Sequence, residues 1–536
     1  MGKKEHKYKP YQPTDVAGKL AKAFIRNPLT TVLGVFLLAI GYAAFLIMPR
    51  EENPQMVVSG STIIVALPGA TADEVEQVIV KPLERVLKEV KGVEHINGAA
   101  MDNVGVVNAS FFIGQKQEES NLKIYDKIMQ KQDMFPKGTR NPIIKPLDID
   151  IDIPIVTIAF YSNDPNIDQT TLYNAVKDVQ HHLNALPNVA VTALKGGHKT
   201  QFNIEVDVNK LAGYNLSMGQ IKQAVESLAY NVPPVKNTTK SNEIVILSVK
   251  NAIDNEEDIG NIIVAIYRGS PIYLNQVAKV TKGYDIQNFK TAYIGVQSKG
   301  GGFSQLTKQV TLTISKLQGT NAVVIADAVE HELEIYKDYL AQHGINYIIT
   351  RNDGIRADEA VNELMEHLIV SIIIIAILLI FVLGWKESLI VTITVPMILA
   401  ITLFVAYLGG QTINRITLFA FLLSLGLLVD AAIIVIENIH RHYHSPDTDP
   451  NEPDDDLMVR ATDEIGSATN IATLAIIMTM VPMAFVGQMM GQFMKPIPQN
   501  VPVALVASLF VAYIFTPYLS VRLLDRPDHS EEGGHH

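Results

Sequence analysis

The sequence predicts a multi-domain membrane protein, a six-helix transmembrane bundle joined to a large external α/β region, and three observations point there. Of the 536 residues 48% are hydrophobic and only 18% charged, and mean hydropathy is positive, a balance foreign to a soluble multi-domain chain. Six apolar runs are each long enough for a bilayer core, which takes about 20 helical residues to cross. Between the first run and the second lies a long stretch in which strand-like and helix-like patterns alternate. The chain has no cysteine, which excludes a disulfide framework, a thiolate metal site and a thiol nucleophile. A net charge of -11 argues against nucleic acid as a partner, because there is no excess of Lys and Arg to neutralise phosphates.

In chain order, residues 1–28 form a tail with Lys3, Lys4, Lys7, Lys9, Lys19, Lys22 and Arg26 against Glu5 and Asp15. The positive-inside rule keeps that tail in the cytoplasm. The first span, 29–48, is closed by Pro49-Arg50-Glu51-Glu52 and reads as a retained anchor, being too long for a leader and lacking a small-residue cleavage site. Everything from Pro49 to His367 then lies outside.

The external region opens with a subdomain over 49–142. A strand-like run from Val57 to Leu67 leads to a capping box of Thr71 and Glu74, and Val75, Ile79, Leu83 and Leu87 follow at helical spacing. Strands are predicted near Val93–Ile96 and Val104–Phe112. A second subdomain, 143–194 with 287–355, repeats the rhythm: strand Ile155–Tyr161, helix Asp168–Leu186, strand Val189–Leu194, then strand Val310–Ser315, helix Asn321–Leu340 and strand Ile345–Thr350. Such a βαβ order predicts two ferredoxin-like sandwiches. Residues 195–286, less regular and containing Pro233-Pro234, read as an inserted subdomain.

Residues 356–520 hold spans two to six, with apolar runs at Leu368–Gly384, Leu389–Leu408, Ile416–Ile439, Ile471–Gly487 and Val501–Ser520. The helix entering the second span starts near Ala357, and nothing between Glu359 and Leu368 breaks it. Trp385 suits the headgroup layer. Residues 521–536 are a cytoplasmic tail or a truncated connector.

Asp430 carries the functional argument. It lies 15 residues after Arg415 and seven before Glu437, well inside the fourth apolar run. Placing an aspartate at that depth costs roughly 2.5 to 3.5 kcal/mol, and membrane carboxylates therefore mark proton or ion relays far more often than they sit idle. Burial disfavours the charged form and a nearby cation favours it, so a carboxyl moved between those surroundings loads and unloads a proton. The plainer alternative is a permanently protonated acid that hydrogen-bonds a neighbouring helix. None of the six apolar runs contains Lys or Arg, so a counter-charge must come from elsewhere. Asn470, Thr473 and Thr479 are polar enough to line a relay, and equally able to serve helix packing.

Two clusters invite a metal and are better explained otherwise. His440, His442 and His444 are interleaved with Arg441 at the cytoplasmic interface, without the convergent ligands of a closed site. Met489, Met490 and Met494 could hold a soft cation, but methionine more often packs or anchors. There is no phosphate loop, nucleophile elbow or zinc-protease helix: Gly300-Gly301-Gly302 lacks the Lys-Ser/Thr that a phosphate loop needs. The chain reads as a non-enzyme with no cofactor.

Four motifs resemble one family. Met48-Pro49-Arg50-Glu51-Glu52-Asn53-Pro54, Leu67-Pro68-Gly69-Ala70 with Glu74-Val75-Glu76, Gly426-Leu427-Leu428-Val429-Asp430 through Ile436-Glu437-Asn438, and Val481-Pro482-Met483-Ala484-Phe485 are similar, in order, to the resistance-nodulation-division (RND) efflux permeases of Gram-negative inner membranes. The resemblance implies a proton-driven antiporter that exports small amphiphilic or toxic compounds, with Asp430 as its proton relay. It implies a homotrimer with a periplasmic adaptor and an outer-membrane channel, two porter-like subdomains, and a docking-like insert over 195–286. Drug exporters of the family commonly carry two adjacent aspartates in the fourth span. Here Ala431 follows Asp430, which resembles heavy-metal exporters of copper or silver. Family members have twelve spans in two parallel halves, so six spans imply an amino-terminal half whose partner lysine lies in a second half. A six-span accessory similar to SecD-type translocation components is the alternative of a different class.

Overall fold

A computed structural model describes residues 8–230, 233–247, 253–285 and 290–527; Lys3, Lys4 and Lys7 of the expected tail and the chain from 528 onward lie outside the described residues. The first α/β unit is a four-stranded sheet. Its strands are β1 (Gly60–Ala66), β2 (Val93–Met101), β3 (Val104–Phe111) and β4 (Ile143–Pro146), in the order β2-β3-β1-β4 with every neighbouring pair antiparallel. Helix α3 runs through Ala72–Val75, a π turn at Glu76–Val80, and Lys81–Lys88; α4 is Gln117–Gln130. The predicted box is present, with Thr71 accepting from the Glu74 backbone and Glu74 from that of Thr71. Ile63, Val65, Val107 and Ala109 alternate inward along their strands and meet Ile79, Leu83, Leu87, Ile124 and Ile128. Each fully buried side chain of this size stabilises the unit by roughly 1.5 to 3 kcal/mol.

The second unit has the same plan. Its strands β5 (Val156–Tyr161), β6 (Val189–Lys195), β9 (Thr307–Lys316) and β10 (Asn346–Asn352) pair antiparallel in the order β6-β9-β5-β10, with Ala292–Ile294 added beside the start of β9. Helices α5 (Gln169–Asn184) and α6 (Ala322–Gln342) close its core through Leu172, Val176, Val179, Ile325, Val329 and Leu333. The insert starts on β7 (Thr200–Val206) and returns on β8 (Ala278–Tyr284), which pair antiparallel and share a small core around Leu274 and Val277.

Two details depart from the sequence reading. Helix α4 has no strong signal in the sequence, because only Ser120, Ile124 and Ile128 of its 14 residues are buried and the apolar stripe is thin. The boundary between residues 142 and 143 assigned Ile143–Pro146 to the second unit, whereas these residues pair with Ser61–Ile64 of the first sheet. A four-residue edge strand recruited across a long connection leaves no local signal.

Among the described residues six helices are long and apolar enough to cross a membrane: α2 (Leu29–Ile47), α7 (Asp353–Val382), α8 (Trp385–Leu408), α9 (Arg415–His444), α10 (Asp454–Ala484) and, continuing from the short α11 (Gln488–Met494), α12 (Pro496–Leu523). Each of the six predicted runs falls inside one of them except at its ends. Helices α8, α9 and α12 are central; α2, α7 and α10 lie around them with most of their apolar windows open to the surroundings. Helices α2 and α8 approach closely at Gly41, where a Cβ would lie 2.2 Å from that of Ala400. Helix α7 starts directly after β10 and reaches Val382 with no Gly or Pro beyond Gly354, as the sequence predicted. A short helix α1 (Val16–Phe24) precedes α2 and buries Ala17, Gly18 and Ala21 against the bundle.

A second connection joins bundle and α/β region. The segment after α2 runs alongside the turn before α9: the Ile413 N–H donates to Pro49 O at 2.9 Å and the Glu51 N–H to Ile413 O at 3.0 Å. The same segment reaches the second unit, where the Ala322 N–H at the head of α6 donates to Arg50 O at 3.0 Å.

Candidate relay site in the membrane bundle

Helix α9 is held on several sides at once, packing against α7, α8, α10 and α12. Its start is fixed by Asn414, whose Oδ1 accepts from the Ile416 and Thr417 N–H groups at 3.0 Å each. Most of the helix is buried, and between its ends the positions left exposed recur every three or four residues: Phe419, Leu423, Gly426, Asp430, Ile434 and Glu437. That spacing is one face of an α-helix. Asp430 lies about 22 Å along the axis from Arg415 and about 10 Å from Glu437, roughly two-thirds of the way along the apolar stretch between those charges. It has no hydrogen-bond or ion-pair partner among the described residues. A Cβ at Gly426 would meet nothing within 4 Å, so the turn before the carboxyl is an open notch.

Ala431 points the other way, only 4% exposed. An acid in its place would be driven into the packed bundle, so the open stripe carries Asp430 without a second carboxylate beside it.

The three expected lining residues have other surroundings. Asn470 Nδ2 donates to Asp15 Oδ1 at 3.2 Å and its Oδ1 accepts from the Tyr513 hydroxyl at 2.6 Å, which ties α10 to α12 and to the segment leading into α1. Thr473 is buried within α10. Thr479 is exposed, and its hydroxyl donates to Ile476 O of its own helix at 2.6 Å. No hydrogen bond among the described residues joins any of the three to Asp430. What residue-by-residue reading missed was the open stripe itself, whose signal is the helical spacing of positions 419, 423, 426, 430, 434 and 437.

The histidines after Asp430 do not converge. His440 Nδ1 is 3.0 Å from Glu387 Oε1 and its ring stacks on His444 at 4.1 Å, while His442 lies 2.5 Å from Glu464 Oε2. Met489 and Met490 are exposed on α11, and Met494 packs partly against the bundle core.

The sequence profile of the AcrB/AcrD/AcrF family matches residues 20–536, which include both α/β units, the insert and all six long apolar helices. A match over nearly the whole chain, added to an acid on an open helix stripe, identifies this protein as a member of the AcrB/AcrD/AcrF family, transporters of the RND superfamily of efflux permeases.

Proposed function

We propose that this chain is a proton-driven RND efflux unit that exports small amphiphilic or toxic compounds, with Asp430 as the group that takes up and releases the proton. The observation that carries the reading is the position of Asp430, well inside the apolar stretch on the open stripe of a helix otherwise packed among its neighbours. Left against lipid, that carboxyl would cost roughly 2.5 to 3.5 kcal/mol for nothing. A second six-span unit laid over the stripe removes that cost and supplies the cation that the six apolar runs lack. The proton then leaves Asp430 when the cation is near and returns when it withdraws. By the same reading the α/β units are ferredoxin-like porter subdomains facing the periplasm, the bundle lies in the inner membrane, and a homotrimer works with a periplasmic adaptor and an outer-membrane channel. The identical strand order of the two sheets supports the ferredoxin-like assignment. A single aspartate followed by buried Ala431, in place of two adjacent aspartates, supports export of soft metal cations as the second reading of substrate.

The test is efflux of a fluorescent amphiphile driven by an imposed proton gradient in vesicles holding the polypeptide with its second unit. Asp430→Asn is expected to lower the rate by at least about a hundredfold, as loss of a proton-transfer group does. Proton-driven efflux that survives this substitution would refute the assignment, and robust activity of this polypeptide alone would remove the need for a second unit.

A further inference from the structure

A lysine is buried at the joint between the membrane bundle and the second α/β unit. Lys316, the last residue of β9, is 4% exposed; its Nζ forms an ion pair with Glu51 Oε1 and lies 3.4 Å from Asp150 Oδ1. Glu51 is as deeply buried, and its other oxygen, Oε2, accepts from the Thr412 hydroxyl at 2.8 Å. Thr412 stands two residues before Asn414, the cap of α9. An unbroken run therefore leads from Asp430 up α9 to its cap, across Thr412 to Glu51, and through Lys316 into the central sheet of the second unit.

The pair is a poor choice for stability alone. Taking two charges out of water costs several kcal/mol per ion, and well-packed apolar residues of similar volume often hold a fold as firmly. Buried charges do hold one geometry strictly, because any displacement strands an unpaired ion. Here the two charges belong to different bodies: Glu51 is hydrogen-bonded to the turn before α9, and Lys316 is part of a sheet. Among the described residues no buried ion pair joins the first unit to the bundle. There the bundle is met by the Gln492 amide of α11, which exchanges two neutral hydrogen bonds with the exposed backbone of Val57, at 2.6 and 2.8 Å.

We infer that Glu51 and Lys316 are positioning residues for transport, a tie through which displacement of α9 moves the second α/β unit in preference to the first. This rests on reading Asp430 as the relay, so the experiment reports on both separately. Hydrogen exchange is compared for the protein together with its second unit in lipid nanodiscs, with and without Asp430→Asn, which fixes the uncharged state. The comparison is then repeated in the background Glu51→Gln/Lys316→Met, in which both buried charges are removed together, leaving only Asp150, whose side chain is 17% exposed, without its cation.

With the pair intact, Asp430→Asn is expected to change exchange rates about fivefold or more at the head of α9 and in β9 with the start of α6, a modest allosteric coupling. Without the pair the change at α9 remains and that in β9 and α6 disappears. A response of β9 and α6 that is equally large without the pair overturns the tie while leaving the relay standing. An α9 indifferent to Asp430→Asn overturns the relay reading, and the tie with it.

Discussion

The two α/β units share a strand order, two covering helices and a core of the same kind, yet they meet the membrane bundle through different chemistry. The first is touched at an exposed backbone by one glutamine amide. The second is held by buried opposite charges and by α7, which grows out of its last strand and becomes a membrane helix. The difference teaches that a repeated fold need not mean a repeated duty: a neutral surface contact lets go at little cost, whereas a buried ion pair keeps its partners in register.

The largest effect that sharpens this contrast comes from removing one charge. Lys316→Met leaves Glu51 without its partner and is expected to destabilise the protein by about 3 to 5 kcal/mol, against about 1 kcal/mol or less for Gln492→Ala at the other joint. Denaturant unfolding in detergent measures both, and equal losses would erase the distinction. The pH dependence adds a sign. Burial pushes the Glu51 carboxyl above the ordinary carboxylate range, with Lys316 pulling the other way. A carboxyl so raised binds a proton on folding, so its contribution is present at low pH and lost as pH rises through the folded value. The Lys316→Met loss should accordingly be larger at about pH 8 than at about pH 5.

A smaller effect compares the helix caps of the two units. Asp168 caps α5 and Thr71 caps α3, and replacing either by Ala should cost about 1 kcal/mol. Only the first should depend on acidity. Hydrogen bonds from the Thr171 side chain and backbone hold the Asp168 carboxyl below its usual range, so its contribution is present above the unfolded value and fades as pH falls through the folded one. Unfolding of Asp168→Ala and the parent at about pH 7 and about pH 3 checks this, with a gap that should close in acid.

The smallest effect concerns the insert, which only the second unit carries. Where it leaves that unit, His198 is buried, stacked on Tyr284 at 4.2 Å and 3.0 Å from the Thr291 hydroxyl. Burial and Lys308 press the ring toward neutrality, against Asp168, which favours the charged form. Its contribution is therefore lost as pH falls below the ordinary histidine value, about 6.5. Protease cleavage of the insert should rise modestly between about pH 7.5 and pH 5.5, and His198→Phe should flatten that response.

Much of this architecture was readable from residues near one another in sequence. The apolar runs marked the six long helices, the Thr71 to Glu74 spacing marked a cap, and the absence of Gly and Pro marked α7 as continuous. Asp430 was conspicuous because it interrupts an apolar run. Pairings across long separations left no such trace. Glu51 looked like a charge closing the first span, and Lys316 like the polar end of a strand; only folding brings them together. Asn470 had the right polarity and depth, but its partners, Asp15 and Tyr513, lie on other elements.

Because α7 is one uninterrupted helix from Asp353 to Val382, its length is also a phase. Adding a single residue midway would rotate everything beyond by about 100° and slide it by about 1.5 Å, turning one end's inward face out while leaving the other untouched. Side chains along it are free to drift, but insertions and deletions are not, so this stretch should hold a fixed residue count while the surface turns around it vary in length.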